Sequence, residues 1–185
     1  TPLVAQVRPH IAIITTVAPV HIGNFTSIDQ IADAKAEILS GILPGGHAVL
    51  NRDNVHFERL ASAAKAHGVS NIVTFGQHAD ADVHLERLVL HATCCCVTAN
   101  ILGEKIIYKL GMPGEHMAMN SLAALAAVKL SGADLARAAL SLAVAEAPKG
   151  RGVQHRLQIG NGTLLLIDES YNANPVSMAA ALSLL

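Results

Sequence analysis

The chain has 185 residues, 51% of them hydrophobic, and a formal net charge of −1. This composition is sufficient for a packed core. The near-neutral charge and the 3% of aromatic residues argue against a nucleic-acid-binding protein, because they give neither a basic surface nor rings on which bases could stack. No apolar run reaches the roughly 18 residues of a membrane span, and no signal peptide is recognisable, so we expect a cytoplasmic protein.

The first part of the chain alternates strands with helices. In chain order the predicted elements are a strand at 10–17, a helix at 27–43, a strand at 47–51, a helix at 53–68 and a strand at 70–76. Ser27 or Asp29 could cap the first helix, and Asp53 or Asn54 the second. Such alternation is typical of a parallel sheet with helices packed on it.

From Asp82 to Leu110 the pattern changes to consecutive strands separated by turn residues, which predicts a small antiparallel sheet appended to the parallel one. This region contains the consecutive cysteines 94–96. Neighbouring residues of a strand point to opposite faces, and the spacing fits no zinc motif, so we interpret them as small apolar residues of a buried strand. Two helices are predicted next, at 116–130 and 134–147.

The segment "APKGRG" at 147–152 has the composition of a linker. The residues after it predict a β-hairpin with a type I′ turn at Asn161-Gly162, then a polar loop and a helix. We therefore predict two domains, 1–148 and 149–185, the second being only the start of a domain.

Lys35 lies on the apolar stripe of the first predicted helix, one turn from Ile31 and Leu39, with no carboxylate three or four residues away. Its ammonium could reach water or meet an acid from elsewhere in the fold. Alternatively, burial would favour the neutral amine, which can react with CO2. The resulting carbamate is chemically a carboxylate and would offer oxygen to Mg²⁺.

Three other places could carry chemistry. His21 follows the first strand, where α/β sheets bind ligands, and is either a metal ligand or base or an ordinary loop residue. His116 and Asn120 share one face of a helix, where the amide could read an adenine edge or serve as a half-buried polar residue. The acids and asparagines of 167–175 could hold ribose hydroxyls or simply form turns.

Several segments resemble the Mur ligase family and occur in the family's order along the chain: "PVHIGNF", "AKAEI", "GEHMAMNSLAALAA", "GRG" and "DESYNANP". The resemblance covers essentially the whole chain, whereas the chain corresponds to only part of a three-domain enzyme. It implies an α/β fold: the later part of the central ATP-binding domain, with a mostly parallel sheet flanked by helices, and then the first elements of a Rossmann-like C-terminal domain.

The resemblance also implies roles for individual residues. In chain order, His21 and Lys35 as its carbamate would organise Mg²⁺ and take part in catalysis, Asn120 would contact adenine, Arg151 (with Arg156 as a rival) would lie near the nucleotide phosphates or ribose, Asp168 or Glu169 would contact ribose, and Tyr171, Asn172 and Asn174 would lie near nucleotide and substrate.

The implied reaction is ATP-dependent amide formation through an acyl phosphate. The "SYNANP" string resembles members that add D-alanyl-D-alanine to a UDP-N-acetylmuramoyl-tripeptide, and a monomer is expected. One alternative is a related ligase with another acceptor amine, including folate or cyanophycin-type relatives. Another is a non-catalytic nucleotide-binding module.

Two departures from the family pattern matter. Met117 stands where many relatives have asparagine, and the sequence contains neither GxxxxGK[ST] nor any Gly-Lys dipeptide. The resemblance therefore implies that the phosphate loop precedes Thr1 in a longer protein, and that residues 1–185 alone neither hydrolyse ATP nor ligate.

Overall fold

Residues 2–19, 25–171 and 175–182 are described by a computed structural model of the chain. Its elements, in chain order, are α1 (Pro2–Val7), β1 (Ile11–Ile14), α2 (Ile28–Ala36) with a following 3₁₀ turn (Glu37–Gly41), β2 (His47–Asn51), α3 (Phe57–Ala66), β3 (Asn71–Gly76), β4 (Val83–Leu90), β5 (Cys95–Ile101), β6 (Glu104–Leu110), α4 (Glu115–Leu130), α5 (Leu135–Leu142), β7 (Val153–Ile159), β8 (Gly162–Asp168) and α6 (Pro175–Leu182).

The main sheet has six strands in the order β1-β2-β3-β4-β5-β6. Strands β1 to β4 run parallel, and β5 and β6 continue the sheet antiparallel to their neighbours. Strand β4 meets β3 only at the pairs Phe75–Val83 and Gly76–His84. The predicted α/β fold is confirmed, and the predicted antiparallel strands form one sheet with the parallel ones through β4.

Helices cover both faces of the parallel part, as a sheet of this kind requires. Strand β2 shows the division, because Ala48 and Leu50 belong to the core under α2 and α3, whereas Val49 belongs to the core under α4 and α5. The buried residues of both cores are mostly aliphatic, and the core under α4 and α5 also contains Phe75, Tyr108 and Cys95. None of the helices in the described ranges is both long and apolar enough to span a bilayer.

Of the two alternatives for Lys35, an ammonium that reaches water agrees with the structure, and a buried neutral amine does not. Ser27 caps α2, its hydroxyl accepting from the Gln30 amide at 3.3 Å, but the α-helix ends at Ala36 and tightens into the 3₁₀ turn. The buried side of α2 continues through Ala36 to Leu39, which is completely buried in the same core as Ile31. Lys35 is an exposed cation in the last turn of α2, where the helix dipole favours a positive charge.

Cys95 and Cys96 begin β5 and alternate as a strand requires, whereas the half-buried Cys94 precedes the strand. Cys95 is completely buried, whereas Cys96 is exposed on the other face of β5. The Cys95 thiol donates to the Met112 carbonyl, with Sγ 3.4 Å from the oxygen, and burial raises the pKa of that thiol. The interpretation of the three cysteines as residues of a buried strand is confirmed for Cys95 only, because Cys94 precedes β5 and Cys96 is exposed.

Strands β7 and β8 form the predicted hairpin, but the predicted turn is wrong by one residue. Ile159 pairs with Gly162, so the two loop residues are Gly160 and Asn161. Gly160 has φ +59°, whereas the non-glycine residues with positive φ in the described ranges are Arg8 and Leu102 only. A type I′ turn needs positive φ at both loop positions, and Asn161 does not supply it.

Candidate functional site

The carboxyl ends of β1, β2 and β3 meet at one edge of the sheet, where α/β folds bind ligands. Two asparagines fix the chain as it leaves β1. The Asn51 amide donates to the Thr15 carbonyl at 2.9 Å, and the Asn54 amide donates to the Val17 carbonyl at 3.1 Å. These bonds hold the start of the segment that leads to His21, which lies outside the described residues.

Asp53 joins the ends of β2 and β3. Its carboxylate accepts hydrogen bonds from the backbone amides of Gln77 (2.7 Å) and His78 (2.9 Å). Gly76 makes room for it, because a Cβ at that position would lie 2.6 Å from the carboxylate oxygens. The role predicted for Asp53 or Asn54, capping α3, is wrong, since α3 begins after His56.

The same edge carries the start of α4. The Gln77 side-chain amide donates to the Glu115 carboxylate in the first turn of that helix. His116 and Asn120, one turn apart on α4, are both exposed. Surrounding protein nevertheless partly desolvates the imidazole, which lowers the pKa of His116, and the nearby Glu169 carboxylate opposes that shift. The structure thus brings Glu169 close to the helix that carries Asn120.

The linker is bound to the loop after β8 by a set of contacts that we call the linker clasp, formed by Gly150, Gly152, Asp168, Ser170 and Tyr171. The Gly152 amide donates to the Asp168 carbonyl at 2.9 Å, and the Tyr171 amide donates to the Gly150 carbonyl at 3.1 Å. Both glycines have positive φ, 74° and 81° respectively. The linker glycines therefore belong to the same unit as the hairpin.

The two acids of this loop differ in their surroundings. The Asp168 carboxylate accepts from the Ser170 hydroxyl at 2.6 Å and from the Ser170 amide at 3.1 Å. These bonds, with a further one from the Gly150 backbone, lower the pKa of Asp168. Glu169 makes no such bonds within the loop, and its Oε1 would lie 3.2 Å from a Cβ at Gly152. Asp168 is therefore hydrogen-bonded inside the clasp, whereas the Glu169 carboxylate lies beside Gly152 and close enough to α4 to influence the pKa of His116.

The two candidate arginines also differ. The Arg151 guanidinium lies over the Tyr171 ring, 4.6 Å from its centroid. Arg156 is an exposed residue of β7, paired with Leu165 in the hairpin. Arg151 therefore lies beside the clasp, and Arg156 does not.

Some of the predicted site residues are not brought together by the described structure. Lys35 has no carboxylate within ion-pair distance in the described ranges, and Asn172 and Asn174, like His21, lie outside them. The described residues contain no group of three or more His, Cys, Asp or Glu side chains that could hold a metal ion.

The sequence did not predict one connection at this edge and one ion pair between α2 and α3. One is the connection from Asp53 through Gln77 to Glu115, and the other is the ion pair of Arg59 with Asp33, whose Nε and Oδ1 atoms are 2.6 Å apart. In the sequence, only the segment "NRDN", which contains Asp53, pointed to the first connection, and this segment also fits a helix cap.

A family model described as Mur ligase middle domain matches residues 2–128. The chain therefore belongs to the Mur ligase family. It is 36% identical over 178 residues to the UDP-N-acetylmuramoyl-tripeptide--D-alanyl-D-alanine ligase of Synechocystis, covering 96% of this chain and 36% of that protein.

A second curated relative, the UDP-N-acetylmuramate--L-alanine ligase of Streptomyces coelicolor, is 31% identical over 175 residues, covering 94% of this chain and 36% of that protein. A crystal structure of MurF from Acinetobacter baumannii superimposes with a TM-score of 0.87 at 31% identity, covering 98% of this chain and 38% of that chain. The chain thus spans little more than a third of the length of the proteins it matches.

Proposed function

We propose that this chain is part of an ATP-dependent ligase that adds D-alanyl-D-alanine to a UDP-N-acetylmuramoyl-tripeptide. The observation that carries the proposal is the 36% identity to a ligase of that name over 96% of the chain. The electrostatic influence of the Glu169 carboxylate on His116 supports it, since His116 and Asn120 lie on the same helix. A cytoplasmic location and a monomeric state are parts of the same proposal.

The proposal divides the chain into residues 1–148 of the central ATP-binding domain and residues 149–185 of the C-terminal domain. Gly111 supports the end of the first domain near residue 148. Its amide donates to the Leu142 carbonyl at 2.9 Å and so ties the end of α5 to the sheet. The linker clasp supports the start of the second domain at residue 149, because Gly150 and Gly152 are hydrogen-bonded to the loop after β8.

For the nucleotide we assign Asn120 to adenine, Arg151 to the phosphates and Glu169 to ribose. Asp168 is the weaker ribose candidate, because Ser170 and Gly150 already occupy its carboxylate. Glu169 keeps acceptor oxygens available on the side of α4. Tyr171, Asn172 and Asn174 complete the loop near nucleotide and substrate.

In the proposed reaction the peptide carboxylate attacks the γ-phosphate of ATP, and the amine of the acceptor then displaces phosphate from the acyl phosphate. The first step brings anions together, so the Arg151 cation would stabilise the charge that develops. Movement of the hairpin unit toward α4 would keep water from the acyl phosphate.

Mg²⁺ is part of the proposal through Lys35, as a carbamate, and His21. A carbamate supplies a hard oxygen ligand of the kind that Mg²⁺ prefers. The described side chains alone do not form a complete site for the ion. We therefore derive no step through it, and the roles of both residues remain proposals.

A related ligase with another acceptor amine is the second candidate, because the Streptomyces coelicolor relative is named for L-alanine and is 31% identical. Purified protein that contains residues 1–185 within the complete ligase separates the two. We expect phosphate release with D-alanyl-D-alanine and UDP-linked tripeptide, and none with L-alanine and UDP-N-acetylmuramate. The opposite preference would refute the assignment. The 185-residue chain alone should show no turnover with either pair.

A further inference from the structure

The Arg151 side chain is held by an aromatic ring rather than by an acid. Its guanidinium carbon is 4.6 Å from the centroid of the Tyr171 ring, and both side chains are exposed. No carboxylate of the described ranges lies within ion-pair distance of Arg151. Stacking uses the face of the planar guanidinium and leaves its N–H groups, which point outward in the plane, free to bind an anion.

The backbones of the two residues are fixed relative to each other. The Tyr171 amide donates to the Gly150 carbonyl at 3.1 Å, and a Cβ at Gly150 would lie 2.8 Å from the Tyr171 Cβ. On the other side of Arg151, Gly152 donates to the Asp168 carbonyl. The ring and the guanidinium therefore start from adjacent, hydrogen-bonded positions, and the stack restricts the rotamers of a long, flexible side chain.

We propose that Tyr171 is a positioning residue for Arg151: its ring holds the guanidinium in one orientation, with the N–H edge presented to phosphoryl oxygens. Tyr171 then acts through Arg151 and not by touching the ligand. The identity of the anion as a nucleotide phosphate rests on the proposed function. Bidentate hydrogen bonding from a pre-oriented guanidinium is the geometry that phosphate recognition favours.

The test uses the full 185-residue chain and inorganic pyrophosphate as the probe. Side-chain NMR of Arg151 should show protons shifted upfield by the ring of Tyr171 in the wild type and in Tyr171→Phe, but not in Tyr171→Leu. Pyrophosphate should shift the Arg151 Nε–H resonance. Its dissociation constant should rise about two- to fivefold in Tyr171→Leu and stay at the wild-type value in Tyr171→Phe, because phenylalanine keeps the stack.

Two further variants complete the experiment. Lys149→Gln removes a neighbouring exposed cation that is not stacked, and it should leave the ring-current shift of Arg151 unchanged. In an Arg151→Gln background, Tyr171→Leu should cause no additional loss of affinity. Unchanged amide shifts of β7 and β8 would verify that each variant keeps the hairpin.

Three results would overturn the inference: wild-type affinity in Tyr171→Leu despite a lost ring-current shift, equal losses in the Phe and Leu variants, or no response of Arg151 to pyrophosphate in the wild type. All are read without turnover. A complete ligase that fails to use D-alanyl-D-alanine would refute the proposed function and leave the positioning of Arg151 standing.

Discussion

At the scale of single residues, the polar pair inside the core is Tyr108 on β6 and Ser121 on α4, with the two hydroxyl oxygens 2.6 Å apart. Ser121 also donates to the Ala118 carbonyl at 2.6 Å, so Tyr108 is the donor to Ser121. We expect Tyr108→Phe to lower the free energy of unfolding by about 1 kcal/mol, because it leaves a buried acceptor without its donor. Urea denaturation measures the change, and Ser131→Ala, at an exposed hydroxyl, is the control with a smaller effect.

The same tyrosine makes stability depend on alkaline pH. Burial raises the pKa of Tyr108 to about 12, whereas the unfolded chain titrates near 10. Between these values Tyr108 holds more protons in the folded state than in the unfolded state, so its contribution to stability is constant below about pH 10 and falls as the pH rises toward 12. The fall should be shallower in Tyr108→Phe; an identical alkaline slope in the variant would contradict this origin.

Asp53 stabilises the turn after β3 by accepting two backbone amides, and that turn carries Gln77 to Glu115. We expect Asp53→Ala to cost about 2 kcal/mol, because two amides then lose a charged acceptor. Hydrogen exchange of the Gln77 and His78 amides should accelerate together. Asp80→Ala is the control, since the exposed Asp80 carboxylate accepts no backbone amide of the described residues and lies only 3.8 Å from the His78 ring nitrogen; comparable acceleration of the Gln77 amide in the control would contradict the role of Asp53.

Lys35 can be tested by chemical rescue in the complete ligase. If its carbamate acts as a carboxylate, Lys35→Ala should reduce turnover by at least about 100-fold, on the scale of a lost charged catalytic group, and added formate should restore part of the rate. Lys65→Ala is the matched control, because Lys65 is likewise exposed in the last turn of its helix. Full activity of Lys35→Ala would refute the catalytic carbamate and leave Lys35 as an exposed cation that the helix dipole stabilises.

At the scale of elements, the β7–β8 turn depends on Gly160 and not on Gly162. Gly160 has φ +59°, a conformation that costs other residues about 1–2 kcal/mol. A Cβ at Gly162 would meet only the Ile159 carbonyl oxygen, at an ordinary 3.7 Å. We therefore expect Gly160→Ala to accelerate hydrogen exchange across the hairpin about tenfold and Gly162→Ala to leave it nearly unchanged. A larger effect of Gly162→Ala than of Gly160→Ala would instead favour the turn first predicted, at Asn161-Gly162.

The hydrophobic pattern predicted the helices and strands better than it predicted the burial and hydrogen bonds of individual side chains. Strand β2 was predicted at its observed limits, 47–51, because an apolar β-branched run bounded by turn residues has few other interpretations. The position of Lys35 one turn from Ile31 and Leu39 did not predict its environment, because the buried residue between them is Ala36 and not Lys35. The Asp53 connection could not be predicted, since its partners Gln77 and His78 become neighbours only when β2 and β3 pair.

The candidate site divides in the same way. The segments at 114–124 and 167–175 were recognisable because each carries several polar residues in a specific order, and the structure brings Glu169 to His116. The proposed preference for Glu169 over Asp168 could not come from the sequence, because it depends on which carboxylate Ser170 and Gly150 occupy. Sequence spacing says nothing about that competition.

At the scale of the whole molecule, the described chain consists of a large sheet with two cores and a hairpin unit attached beside it. Every buried residue of both cores lies between Ile14 and Ala139. Beyond residue 148, Ala181 is the only buried hydrophobic side chain among those described. The hairpin unit therefore adds little to the core that stabilises the sheet.

This division predicts how truncation behaves. Residues 1–148 should fold without the remainder and unfold in urea within about 0.5 kcal/mol of the full chain, because no core contact is lost. Residues 149–185 alone should be unfolded by circular dichroism, since an isolated two-stranded hairpin is marginal in water. A clearly destabilised 1–148 fragment, or a folded 149–185 peptide, would show that the boundary between the two units lies elsewhere.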